Sequence, residues 1–358
     1  VSETNQFRQP NDEFPPSRRF VIRSFWHSFI ILNALLVIFP QPPPHHHAPR
    51  PPLTSSRFLP FRRYLAAGRQ RSQSRPEGQF GTLENGLRYV ILPHDEPPGR
   101  ASIRLYMDVG SLMEQDDQQG MAHYLEHMAF NGSRHFKGGE MVEYFQRLGM
   151  GFGADTNAHT SFKETVYMLE LPKVEAKFIT EGMQLFRDYL DGMLLGEAEI
   201  DKERGIILSE KLSRDSIEYR TMIEGYKFGL PESILPHRLP IGQEETIKTM
   251  KRPRFVDFYE GYYTPKRATI VAVGDFKDTA AVKAEIEKHF TDAKPKGEEL
   301  KDPNLGKIPT DYGIIAKLHT EMEAQSLTLS IEIPRKAKNK PDTMPTHVAK
   351  TSFVTSLT

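Results

Sequence analysis

His123 and His127 stand four residues apart, with Glu126 between them. On an α-helix residues three and four apart are neighbours, so two imidazoles can grip one metal ion while a carboxylate stands beside it. Spaced as H-x-x-E-H, these residue types suit metal-assisted hydrolysis: paired imidazoles bind Zn²⁺ and the Glu serves as general base. The neighbouring residues predict a helix able to present them. Asp116 and Asp117 are expected to cap its start. Met121, Leu125, Met128 and Phe130 give an apolar stripe that buries the opposite side, and Gly132 and Ser133 end the helix.

A catalytic zinc takes three protein ligands and leaves the fourth position open. The chain has no Cys, so the third ligand must be His, Asp or Glu. The segment from Glu197 to Leu212 reads as a helix with Ile200, Ile207 and Leu208 turned inward. Glu203 and Glu210 are seven residues apart, close to two turns, and share a face. One can ligate the metal while the other holds a His in its tautomer. Spacing alone does not say which. His135 and His159 have no partner at ligand spacing and are read as polar loop or strand residues.

The pair His123-x-x-Glu126-His127 and, about eighty residues later, Glu203-Arg-Gly-Ile-Ile-Leu-Ser-Glu210 resembles the pitrilysin/insulinase zinc peptidases. The likeness covers roughly 78–290. Its nearest flavour is the bacterial zinc proteases, judged by Glu84-Asn-Gly-Leu-Arg-Tyr-Val-Ile-Leu92 and Gly110-Ser-Leu-Met-Glu114. The resemblance implies that His123, His127 and Glu210 ligate one zinc per chain. It makes Glu126 the base that activates water and Glu203 the supporting acid. It also implies that Asn157, Ala158 and Thr160, in the run Gly153–Thr160, lie on an edge strand beside the metal. There an extended substrate adds as a further strand, bound through backbone groups. In this family an Arg and a Tyr of the C-terminal half clamp the substrate, and no segment here matches them.

The elements that must position these residues read as an α+β layer structure, helices packed on a largely antiparallel sheet. A hairpin over Phe80–Leu92 turns at Asn85-Gly86, and Ala101–Val109 alternates as a half-buried strand. A helix near Glu140–Leu148 follows, then strands at Phe152–Thr156 and Thr165–Leu171. Long helices are expected over Val174–Met193 and Glu197–Tyr219. A short helix near Arg254–Tyr262, a strand at Thr269–Val273 and a helix at Ala280–Phe290 complete a domain over 77–293. Residues 294–309 are a linker by composition. Ile314–Leu318 and Leu327–Ile333 read as the first strands of a second, truncated domain over 310–358.

Residues 1–76 differ in kind. Between Phe14 and Pro76 there are ten Arg and no Asp, Glu or Lys, so the formally neutral chain hides a basic leader and a remainder of net charge −8. The apolar run 25–39 is short for a membrane span and fits a signal-peptide core behind Arg18, Arg19 and Arg23. It is also where contact with a membrane would be expected. Export is the favoured destination, with an organellar transit peptide as the alternative. The Pro-rich tract 40–52 is disordered by composition. An Arg-rich leader without a matching fold signal does not make a nucleic-acid module. Function therefore narrows to a zinc metalloendopeptidase acting on peptides or unfolded polypeptides. The alternative is a family subunit that binds peptides without cutting them, or cuts only with a partner chain or second half completing the chamber.

Overall fold

The computed structural model describes residues 78–308, except 148, 150, 152 and 154, together with 313–324 and 327. The leader, the apolar run 25–39 and the second strand expected from 327 onward lie outside the described residues, Leu327 apart.

Six strands form one sheet: β1 (Gln79–Thr82), β2 (Arg88–Pro93), β3 (Ala101–Met107), β4 (Thr156–Thr160), β5 (Thr165–Leu171) and β6 (Ala268–Gly274). Their order is β1-β2-β6-β3-β5-β4. Only the β2–β6 pair is parallel, so the expected α+β class is what the chain adopts. The Asn85-Gly86 turn forms as its chemistry requires, with Gly86 at φ 92°. Asn85 accepts from Leu87 N and donates to the carbonyls of Phe290 and Ala293, tying the hairpin to the far end of the domain.

Residues directly opposite across a sheet share a face. Register therefore places Tyr89, Ile270, Leu105, Tyr167 and Ala158 in one row, and Ile91, Ala272, Ile103, Leu169 and Thr156 in the next. The central residues of both rows are buried. The helices are α1 (Met121–Ala129), α2 (Glu140–Arg147), α3 (Ala176–Asp191), α4 (Glu197–Ser213), α5 (Ile217–Gly229), α6 (Glu244–Thr249), α7 (Arg252–Tyr262) and α8 (Thr279–Phe290); α1, α3 and α8 pack on the strands, and α4 and α7 pack on α1. At the β4 edge the row ends in Thr156, Ala158 and Thr160, on the strand that packs against α1.

Four expectations are corrected. Asp116 and Asp117 do not cap α1; they sit in a 3-10 turn, paired with Arg238 and Arg254. The cap is Glu114, whose two oxygens accept from Gly120 N and Ala122 N, each at 2.9 Å. Gly120 takes φ 98°, which Gly adopts without a Cβ penalty. The strand expected at Phe152–Thr156 starts at Thr156 instead, because the bonds Asp155 N–Gly151 O and Gly153 N–Thr156 O make a turn before it. The helix expected over Glu197–Tyr219 breaks after Ser213, where Ser216 caps α5 by accepting from Tyr219 N. Ile314–Leu318 is not a strand: no regular element is found among the described residues 313–324, and Ile314, Ile315 and Leu318 stay exposed. Such a segment needs a sheet neighbour to bury its alternating face.

No helix among the described residues is long and apolar enough to cross a membrane.

Candidate metal centre

Helix α1 is buried nearly all round. Met121, Leu125 and Met128 meet the core, Tyr124 donates to the Ile200 carbonyl, and only His127 is left partly open. That packing turns His123 and His127 to the same side, their ring centroids 4.7 Å apart. Helix α4 faces them. Ile200, Glu203 and Ile207 are its buried residues, and Arg204 ties it to the carbonyls of Ile247 and Met250.

The two acids on α4 take different parts, which spacing had left open. Glu203 Oε1 lies 2.7 Å from His127 Nδ1. Glu210 Oε2 lies 3.4 Å from His127 Nε2 and 3.5 Å from His123 Nε2. The imidazole of His127 thus spans the two carboxylates, one on each nitrogen. The Glu203 contact on Nδ1 is the kind a carboxylate makes behind a zinc-bound His, with Nε2 turned to the other donors. His123, His127 and Glu210 each offer an atom within 4.8 Å of the others, the set that could hold an ion. Ligands about 2.0–2.1 Å from a tetrahedral zinc sit about 3.4 Å from one another. The two Glu210 distances match that spacing, and two imidazoles with a carboxylate form a common catalytic zinc donor set. The residues fit zinc.

Charge follows from these contacts. Burial and the neighbouring His127 push His123 down to about 4, so it is neutral near pH 7. Burial also opposes charge on His127, but its bonds to Glu203 and Glu210 and the Glu126 carboxylate outweigh it and hold the ring at about 9. The bond to His127 draws Glu210 down to about 2. Burial raises Glu126 above the usual carboxylate range, against the bond it accepts from Thr160 at 2.5 Å. A carboxylate of raised proton affinity is a stronger base for a proton transfer near neutrality.

Asn157 and Ala158 occupy the edge strand β4. The Asn157 side chain is exposed and accepts from Ala158 N, while Thr160 turns toward Glu126. His135 pairs with the buried Asp188 at 2.8 Å, and His159 with Glu164 at 3.6 Å. Neither joins the metal group.

Sequence reasoning missed two supports. Asn131 donates to Glu203 Oε2 at 2.9 Å and to the His127 carbonyl at 3.1 Å. Its position four residues after His127 was the available signal. Arg214, four residues after Glu210, donates to Glu210 Oε1 and leaves Oε2 for the imidazoles.

The profile of the insulinase family (Peptidase family M16) matches residues 89–222, and that of the Peptidase M16 inactive domain matches residues 249–355. The chain is 35% identical over 202 residues to the probable zinc protease PqqL of Escherichia coli, covering 56% of this chain and 22% of that protein. Against the chloroplastic stromal processing peptidase of Pisum sativum it is 35% identical over 249 residues, covering 68% of this chain and 18% of that one. The crystal structure of the first half of the periplasmic protease PqqL from E. coli superposes with a TM-score of 0.61 at 31% identity, covering 65% of this chain and 49% of that one. This chain spans about a fifth of the length of these two curated relatives. The first profile runs through both halves of the donor set, and the fold that brings them together is that of the solved first half of a periplasmic protease: the chain belongs to the insulinase family of peptidases.

Proposed function

We propose that this chain carries the catalytic half of a zinc-dependent metalloendopeptidase that cuts extended peptides or unfolded polypeptides. The observation that carries the reading is the placement of Glu126. Its carboxylate is buried beside the three-donor group and bonded to the edge strand β4.

His123, His127 and Glu210 would hold one zinc, and Glu203 with Asn131 keeps His127 oriented. Bound there, zinc supplies Lewis acidity to the scissile carbonyl and to water. Glu126 accepts the proton of the attacking water and delivers it to the leaving amine. An extended substrate lies along β4 at Asn157 and Ala158, where an unpaired edge offers backbone donors and acceptors with little sequence choice.

Residues 77–293 are the catalytic domain in this reading, 294–309 a linker and 310–358 the start of a second, similar domain. A partner chain or second half completes the chamber and supplies substrate-clamping groups. Relatives described as the first half of PqqL and as a subunit, the mitochondrial-processing peptidase subunit beta of Bos taurus, support that dependence. Export is proposed for the basic leader with its 25–39 apolar run, supported by the periplasmic relative, and the stromal relative supports the organellar alternative.

The test compares zinc-loaded chain alone with the same chain joined to a complete second half, on a flexible unfolded peptide. Turnover that chelation removes and zinc restores supports the reading. Absence of turnover from both forms counts against it, and equal activity counts against the need for a second half.

A further inference from the structure

We infer that Thr160 is a positioning residue for the base, linking the edge strand that receives the peptide to the carboxylate that drives hydrolysis. The inference rests on the peptidase reading above and departs from the substrate contact that family resemblance implied for Thr160.

A threonine hydroxyl has one proton, and an ionised carboxylate only accepts. At 2.5 Å from Glu126 Oε2, the Thr160 hydroxyl therefore donates to the base. Such a charge-assisted bond is short and strong. The nearest other hydroxyl is Thr165 Oγ1 at 3.4 Å, and its proton goes to the Val109 carbonyl at 3.0 Å. Neither threonine has a proton left for a substrate carbonyl.

What holds Thr160 is the hairpin, not helix α1. Thr160 and Thr165 face each other across β4 and β5 at its closed end, where Ser161 N donates to Glu164 O. Thr165 is fully buried, and its hydroxyl donates to the Val109 carbonyl at 3.0 Å. That bond anchors the strand end behind the base. Thr160 is also β-branched and stiff at χ1, whereas Glu126 has several rotatable bonds to restrain. A peptide pairing along β4 steadies the same strand that aims the carboxylate, so substrate occupancy and base alignment are coupled.

The experiment compares Thr160→Val, which removes the donor at nearly constant shape, with Thr160→Ser, which keeps it, in the zinc-loaded full chain. The expected result for Thr160→Val is a kcat lower by about tenfold or more, with KM within about twofold and unchanged zinc content. Thr160→Ser recovers most of the loss. A second readout needs no turnover: in metal-free protein, Thr160→Val lowers the melting temperature by about 3 °C when Glu126 is present and has a smaller effect in a Glu126→Ala background. A rise in KM at constant kcat, equal effects in the two backgrounds, or kinetics identical to the parent overturn the inference and leave the peptidase reading standing. If the parent turns over no peptide either alone or joined to a complete second half, the peptidase reading falls and takes this inference with it.

Discussion

Helices α1 and α4 supply the same donor group from opposite kinds of environment. Eight of the nine residues of α1 are buried, against three of the seventeen in α4. The imidazole side of the site is therefore set by the hydrophobic core, which fixes backbone and side chain together. The carboxylate side stands on a half-exposed helix and is placed by polar contacts reaching across to α1. Glu203 meets His127 Nδ1, Glu210 meets the two Nε2 atoms, and Arg214 holds the far oxygen of Glu210. The contrast teaches that metal affinity and fold stability are separable on α4 and entangled on α1.

Substitutions sharpen that contrast, the largest effect first. His123→Ala and His127→Ala should each abolish stoichiometric zinc in metal analysis of purified protein, since two remaining donors do not make a closed set. Glu210→Gln should weaken zinc by more than about 100-fold, the upper range for losing a group that only orients a ligand. Glu203→Gln, by contrast, should cost about 10- to 100-fold, because it removes that orienting bond and leaves the ligand. Competition titration with a chelator measures both. If Glu203→Gln strips the metal while Glu210→Gln keeps it, the roles are reversed.

Proton release tests the electrostatics of the same contacts. His127 is held at about 9 and is charged near pH 7, whereas His123 at about 4 and Glu210 at about 2 are already deprotonated. A metal ligand must be neutral imidazole. Zinc uptake should therefore release about one proton, and apparent affinity should climb about tenfold per pH unit up to pH 9, then level off. Calorimetry in buffers of different ionisation enthalpy reads this directly, and uptake without proton release contradicts a charged His127.

The smallest effects separate the helices by stability. Leu125→Ala on α1 should cost about 2–5 kcal/mol in denaturant unfolding, whereas Ile206→Ala on the open face of α4 should stay within about 0.5 kcal/mol. Comparable costs would erase the distinction between the helices.

The part of the candidate site on α1 was legible in the sequence because its donors are local: three or four residues on one helix fix their relation without any tertiary knowledge. The division of labour between Glu203 and Glu210 was not. Seven residues put both on one face, but about 10 Å apart along the axis, and only the crossing of α4 over α1 decides which nitrogen each meets. The family resemblance assigned Glu210 to the metal where spacing could not, and the geometry is in keeping with it. The sheet was legible through alternation in β3 and the Asn85-Gly86 turn. What was missed is short or capped from afar. Helix α6 has six residues, too few for periodicity to speak. The cap of α1 comes from Glu114 across an intervening 3-10 turn, so the nearer Asp116 and Asp117 were the wrong inference from a sound rule.

The most direct test of the central claim is zinc content and peptide turnover measured together on native and Glu126→Gln protein. The account predicts about one zinc per chain in both, with turnover of a flexible peptide confined to the native form. Glu126→Gln protein that binds zinc and still cuts at the native rate would contradict it, because the residue placed as the base would then be dispensable.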